Sequence, residues 1–291
     1  MSSLADNAAS QRSTEGTRLV VIDAARAASW FDWRELWNYR ELIWILAARD
    51  ITVRYRQAVV GVAWVVLQPV AEMVVFSGLF SLLGKRPAGE AVPYTISLLC
   101  GLLLWQLFAA IVGSATSCLV DNRPLLTKVY FPRMVLPLAV CLRPLVDFGV
   151  GLVVLAGLMA WFHVAPSLAL LMMPLVVLAT VITALALGLW LSALNAHYRD
   201  FGYIVPFLLR IGFFVSPVIY ETASLNIPTQ WHLLYSLNPM SSLLESFRWS
   251  LIGTAGPEVI EVVASLVATI LVLVTGAWYF RRVERFLADR I

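Results

Sequence analysis

The chain has 291 residues, 60% hydrophobic and 13% charged, with a mean hydropathy of +0.81 and a formal net charge of +3. Soluble domains carry about 45–50% apolar and about 25% charged residues, so this composition belongs in a lipid bilayer. The small charge, scattered through loops, gives nucleic-acid binding no support. Cys100, Cys118 and Cys141 lie in or beside apolar runs without metal-ligand or disulfide spacing.

Residues 1–29 are rich in Ser and Ala, and their apolar run at 19–22 is too short for a signal-peptide core, so a cytoplasmic tail is expected. Over 30–57, Arg34, Asn38 and Glu41 recur at helical spacing, while Leu36, Tyr39, Ile43 and Leu46 form a second stripe. With Trp30, Trp33, Trp37 and Trp44, this predicts an amphipathic interface helix at the headgroup level. A soluble helix packed on a partner is the rival. A cationic collar at 49–56 leads into the first span, 59–83, which contains Gln68, Pro69 and Glu72. A carboxylate near mid-membrane costs about 2.5–3.5 kcal/mol. Glu72 should therefore face protein or a water-filled cavity, either in a structural hydrogen bond or as a pore-lining group.

The loop 84–93 carries Lys85 and Arg86 and is expected outside. Its Gly84-Lys85 pair is no phosphate-binding loop, because Leu79 replaces the first glycine and Arg86 the Ser/Thr. The second span, 94–120, runs into a polar island at 119–134 whose Arg123, Lys128 and Arg133 mark the cytoplasmic surface. Such a short cationic connection is well placed to take a push from a soluble partner; an ordinary retained loop is the alternative. In the third span, 135–162, Pro137 and Pro144 interrupt the helix, and Arg143 and Asp147 share one face as an expected structural ion pair, with a substrate contact as the alternative. The fourth span, 168–194, ends in a second cytoplasmic polar stretch at 195–200.

The last third is less regular. Residues 204–219 are short for an upright span and contain Pro206, Arg210 and Pro217, while 235–252 are half-apolar with Asn238, Pro239, Glu245 and Arg248. A fifth, broken span followed by a re-entrant hairpin is expected, since such backbone is tolerated where protein or water covers it. The sixth span, 259–280, ends in Arg281, Arg282, Arg285 and Arg290. Cytoplasmic segments beyond residue 30 then hold thirteen Lys/Arg and external ones three, namely Lys85, Arg86 and Arg248. Both termini are therefore expected inside. The expectation is an all-α polytopic membrane protein of six transmembrane helices, divided into a tail (1–29), an interface helix with its collar (30–57) and a transmembrane domain (58–291).

Four motifs carry a resemblance. They are Arg49-Asp50-Ile51 with Arg54-Tyr55-Arg56-Gln57, Gly61, Trp64 and Gln68-Pro69; Phe131-Pro132-Arg133 with Leu136-Pro137; Tyr198-Arg199-Asp200; and Asn238-Pro239-Met240. In this order they resemble the permeases of polysaccharide-export ABC transporters of the type-2 exporter family, from about residue 30 to 282. Residues 58–60 follow the family's Ser-x-Leu pattern only loosely. The resemblance implies a transport subunit with no catalytic residue, metal or cofactor of its own. It implies a homodimer served by two copies of an ABC ATPase subunit that holds ATP and Mg. The island becomes the coupling helix, with Arg123, Lys128, Tyr130, Phe131 and Arg133 meeting the ATPase.

The implied substrate is an undecaprenyl-pyrophosphate-linked polysaccharide, O-antigen before capsule or teichoic acid. It would leave through a channel between the two copies in the bacterial cytoplasmic (inner) membrane. Aromatic rings offer the C–H face of a sugar an apolar surface. Phe76, Phe80, Phe207, Phe213 and Phe214, with Glu72, are the channel candidates, against plain packing or lipid contact. Arg54 and Arg56 are placed to receive the lipid pyrophosphate, or only to set topology. A membrane enzyme is disfavoured because His163, His197 and His232 lie in separate loops. An ion-coupled transporter would use Glu72 and Asp147, yet no internal repeat is visible. A small-lipid or drug exporter of the same ABC group is separated only by the motif set.

Overall fold

The computed structural model describes residues 33–56, 61–82, 93–129, 131–220 and 238–288, which form helices and turns with no strand among them. The chain divides into two units, Met1–Trp33 and Arg34–Ile291, and every membrane-length helix belongs to the second. The expected tail at 1–29 and residues 235–237 of the expected re-entrant segment lie outside the described residues.

In chain order the helices are α1 (Trp33–Asn38), α2 (Arg40–Arg56), α3 (Gly61–Leu82), α4 (Tyr94–Asp121), α5 (Arg123–Leu126), α6 (Val135–Val140), α7 (Leu142–Trp161), α8 (Met173–His197), α9 (Phe201–Val215), α10 (Pro239–Ile252) and α11 (Val259–Ala288). A 3-10 turn, Leu168–Met172, leads into α8. Five described segments are long and apolar enough to cross a membrane: Ala63–Leu82, Tyr94–Asp121, Val135–Trp161, Leu168–His197 and Val259–Glu284. Each matches a span expected from the sequence. The fifth expected span is different. At 15 residues α9 reaches about 22 Å, short of a hydrocarbon core ~30 Å thick.

The central element is α4, buried along most of its length and packed by α8, α7, α3 and α10. Apolar attraction alone does not hold helices together in lipid, so small residues that permit close backbone approach decide the contacts. A Cβ on Gly188 of α8 would lie 2.6 Å from Cβ of Ala115 on α4, which makes glycine obligatory there. Asn195 Nδ2 then donates to the Thr116 carbonyl at 3.0 Å, fastening the same two helices near their ends. On the other side of α8, the Thr183 and Thr269 hydroxyls meet at 3.0 Å and join it to α11. The third span breaks at Cys141, between α6 and α7, as Pro144 leads one to expect. The Cys141 thiol donates to the Pro137 carbonyl at 3.1 Å in the gap.

Two expectations need correction. First, α1 and α2 are not simply two-faced. Leu36, Leu46 and Ala47 are buried, the two leucines in a cluster with Phe131, Met134 and Val135, yet Trp37, Trp44, Ile45 and Val53 stay exposed. Apolar side chains point both at the protein and away from it, as suits a helix lodged between a protein wall and a lipid surface.

Second, Arg248, counted from the sequence among the external cations, is not an exposed charge. It is 2% exposed, inside α10, and its guanidinium donates to the carbonyls of Ser97 (3.1 Å), Pro217 (2.7 Å), Val218 (2.7 Å) and Tyr220 (3.2 Å). The chain at 216–220 leaves α9 at a Ser-Pro step and has no helical amides to satisfy its carbonyls. Arg248 supplies the donors instead. Gly101 makes the room, since a Cβ there would sit 2.4 Å from the Val218 carbonyl oxygen and 2.5 Å from Arg248 Nη2. Tyr94 completes the seal by donating to the Ile219 carbonyl at 2.7 Å. Asn238 caps α10 by accepting from the Met240 amide at 3.1 Å, and its own amide reaches Ser216 Oγ at 2.9 Å. Gly253, at φ +71°, ends the helix in the left-handed region that glycine adopts without penalty.

Candidate functional site

A cavity of about 730 Å³ opens between α3, α4, α7 and α9, with Arg54 of α2 at one edge. Its polar centre is built on one carboxylate. Gln68 Nε2 donates to Glu72 Oε1 at 3.2 Å and Gln106 Nε2 to Glu72 Oε2 at 3.0 Å, so two amides hold the acid while it lines the cavity. Glu72 thus makes structural hydrogen bonds and also lines a cavity. Around it runs a chain of rings. Phe76 meets Phe213 at 5.9 Å, Phe213 meets Trp105 at 6.1 Å and Phe214 at 5.2 Å, centroid to centroid. Arg210, on α9, faces the same space and makes no ion pair among the described residues.

The edge formed by Arg54 is held by a clamp that the sequence reading assigned otherwise. Asp147 does not pair with Arg143. One of its oxygens takes Arg54 Nη2 at 3.2 Å and the other accepts from the Tyr55 hydroxyl, while Arg143 reaches Ser114 Oγ at 3.5 Å. Spacing on one helix put Arg143 and Asp147 on a common face, but α2 packs against α7 and offers Asp147 a cation and a hydroxyl together. Burial, and then the hydrogen bond to Asp147, push the Tyr55 phenol up to about 12. It stays a donor throughout the physiological range.

Of the channel candidates, Phe76, Phe213, Phe214 and Glu72 come together in the cavity. Phe80 packs on Tyr94 at 5.5 Å, and Phe207 points outward from α9. Arg54 lines the cavity and Arg56 is exposed beside it in sequence. Gln68, Trp105, Gln106 and Arg210 complete the wall without having been singled out as site residues. The signal for Gln106 was present, an amide inside an otherwise apolar span, which should face protein or water.

The island divides likewise. Arg123 and Lys128 are exposed and Phe131 is buried in the cluster under α1 and α2, so Phe131 anchors the segment instead of presenting itself to a partner. Arg133 is tied to the end of α11, with its backbone amide 3.1 Å from Glu284 Oε1 and its Nη1 3.3 Å from the Glu284 carbonyl. Tyr130 lies outside the described residues.

Comparison with protein families matches residues 41–252 to the ABC-2 type transporter family. The chain belongs to that family. The match enters in α2 and leaves with α10, so the cavity, the island and the Arg248 staple are all parts of an ABC-2 transporter's membrane domain. The O-antigen export system permease protein RfbA of Myxococcus xanthus is 34% identical over 74% of this chain and 82% of its own. The protein of the same name from Klebsiella pneumoniae is 26% identical over 72% and 79%. The polysialic acid transport protein KpsM of Escherichia coli is 23% identical over 70% and 78%.

Proposed function

We propose that this chain is the permease subunit of an ATP-driven exporter of O-antigen-type polysaccharide, working as a homodimer with two copies of an ABC ATPase that holds ATP and Mg. The observation that carries the reading is the cavity wall. A sugar offers an apolar C–H face and a rim of hydroxyls, and the wall offers Phe76, Trp105, Phe213 and Phe214 for the first and Gln68, Glu72 and Gln106 for the second. The names of the RfbA relatives support the same substrate class.

Arg54 and Arg210 add positive charge for the pyrophosphate of an undecaprenyl carrier at the edge of the cavity. The exposed apolar residues of α9, Tyr203 and Phe207 among them, then face the second copy across the channel. The C-terminal ends of α2 and α11, which carry arginines, and those of α4 and α8, which Arg123 and Arg199 follow, are cytoplasmic in this reading, in line with the charge bias of the sequence. The polysialic acid relative favours a second reading, capsule export, for which the two cavity arginines suit an acidic polymer.

The test is genetic and chemical. Cells lacking the chain should lose the polymer from their surface and accumulate it on its lipid carrier inside. Surface polymer at an undiminished level would refute the reading, and loss of an acidic capsule with O-antigen intact would select the second one.

A further inference from the structure

Asp147 stands between two cations and holds one of them. Across the contact between α2 and α7, one carboxylate oxygen takes Arg54 Nη2 at 3.2 Å and the other accepts from the Tyr55 hydroxyl. Arg143 lies four residues before Asp147 on α7, a separation at which two side chains of a helix can pair. It is close enough for its charge to oppose the upward shift of the Tyr55 phenol. Among the described residues, however, Arg143 makes no ion pair. Its Nη2 reaches Ser114 Oγ only at 3.5 Å, and its Nε is buried there without a hydrogen-bond partner, as is Arg54 Nε. Two cations therefore share one carboxylate. Arg54 and Asp147 line the cavity, so their pair stands where a ligand of the cavity edge would meet it.

We propose that Asp147 is a charge filter: it yields Arg54 to a lipid pyrophosphate, taking Arg143 in exchange, and withholds Arg54 from the phosphodiesters of ordinary phospholipids. This rests on the exporter reading above, in which Arg54 meets the pyrophosphate of the carrier, and adds the residue that makes the choice. A cation at the edge of a membrane cavity stands among anionic headgroups in large excess. A phosphodiester carries one negative charge, as Asp147 does, so it gains little by replacing a carboxylate already seated on Arg54 and Tyr55. A pyrophosphate carries at least two, and its attraction to Arg54 grows in proportion. Release costs Asp147 little, because Tyr55 can remain on one oxygen while Arg143 takes the other. Discrimination built by occupying the site against an abundant competitor is a general device of specificity. The pair of Arg143 and Asp147 then belongs to the loaded state, and that of Arg54 and Asp147 to the empty one.

The test titrates undecaprenyl pyrophosphate and phosphatidylglycerol onto the full-length chain, purified in mild detergent, with native mass spectrometry counting each bound lipid. Binding at the site is the part that R54Q removes. There the unaltered chain should prefer the pyrophosphate by about tenfold or more, equivalent to about 1.4 kcal/mol. D147N keeps an acceptor for the Tyr55 hydroxyl but gives up the charge, so it should take phosphatidylglycerol about tenfold more tightly. D147E should exclude that lipid again. R143Q supplies a second readout that does not depend on D147N folding. With the exchange partner gone, pyrophosphate should bind about fivefold or more weakly while phosphatidylglycerol stays excluded. A folded D147N chain that still excludes phosphatidylglycerol, or an R143Q chain that binds pyrophosphate as before, would overturn the filter. Pyrophosphate binding that is absent from the unaltered chain, or that R54Q leaves intact, would instead overturn the role of Arg54 beneath it.

Discussion

Replacing Arg248 with methionine keeps the volume inside α10 and removes the guanidinium donors that reach the carbonyls of Ser97, Pro217, Val218 and Tyr220. Hydrogen bonds from a charged group contribute about 1.5–3 kcal/mol each, but four on one guanidinium share its desolvation and do not add. The appropriate scale is that of breaking a buried ionic cluster, about 3–5 kcal/mol. Against the stability of a folded domain, about 5–15 kcal/mol, that is a large fraction. The melting temperature in detergent should fall by roughly 6–20 °C, using the response of the larger soluble chains. Hydrogen exchange should accelerate at 216–220 and at the C-terminal turn of α9 before it does elsewhere. R248K keeps the charge, yet one ammonium cannot span four carbonyls, so it should recover less than half of the loss. G101A attacks the same joint from the opposite side, because its methyl would occupy the space of Arg248 Nη2 and the Val218 oxygen. An R248M protein melting within about 2 °C of the unaltered chain, with unchanged exchange at 216–220, would refute the staple.

D147A should loosen α2 from α7 by about 1–3 kcal/mol, because the buried part of the Arg54–Tyr55 pair loses its acceptor, and faster proteolysis at 49–56 would report it. Titrated at 295 nm, Tyr55 should ionise near 12, and in D147A it should move part of the way towards 10, burial being the larger cause. As the folded value lies above the unfolded one, the phenol's contribution is complete below about pH 10 and is lost as pH rises through about 12; stability that increases over that window would contradict the assignment. W105A and Q106L should lower export of polymer without lowering the ATPase that copurifies with the chain, which separates the cavity from the island. N238A should cost about 1 kcal/mol by uncapping α10, read as a lower melting temperature.

Periodicity and hydropathy made the membrane-length helices legible because each is a long run whose length alone identifies it. The island, the break at Pro144 and the shortness of α9 could also be read, the first from charge and the others from proline. Partners across helices could not. Asp147 has a cation four residues before it, and a local rule selects that neighbour. The winning partners, Arg54 and Tyr55, come from a helix more than ninety residues away in sequence, as the separation of 92 for Tyr55 records. Arg248 misled for a related reason. In a half-apolar re-entrant stretch a lone arginine counts as one more external cation, and its four carbonyl partners become visible only when α4 and the broken end of α9 are placed around it. Phe131 carries the opposite lesson, since membership of a motif said nothing about which way its ring faces.

The polar residues inside this bundle sort by what answers them. Thr180 and Thr183 bond back to their own helix at 2.9 and 2.8 Å, Asn195 bonds across to α4, and Arg248 is consumed by four carbonyls. All four are buried, so their polarity is spent on holding helices and broken ends together. Glu72, Gln68, Gln106 and Arg210 differ because each faces the cavity. Even Glu72, with two amides on its carboxylate, has one of them arriving from a cavity-lining neighbour on its own helix and the other from the opposite wall. A bilayer penalises an intramembrane polar group that nothing answers. Protein answers the first set completely, whereas the second set, even where its members bond to one another, also faces open space. Polarity in a membrane segment therefore does not by itself identify a transport residue; polarity left facing open space is the stronger pointer, and in this chain it lies on the wall formed by α3, α4 and α9, where the reading proposed above puts the polymer.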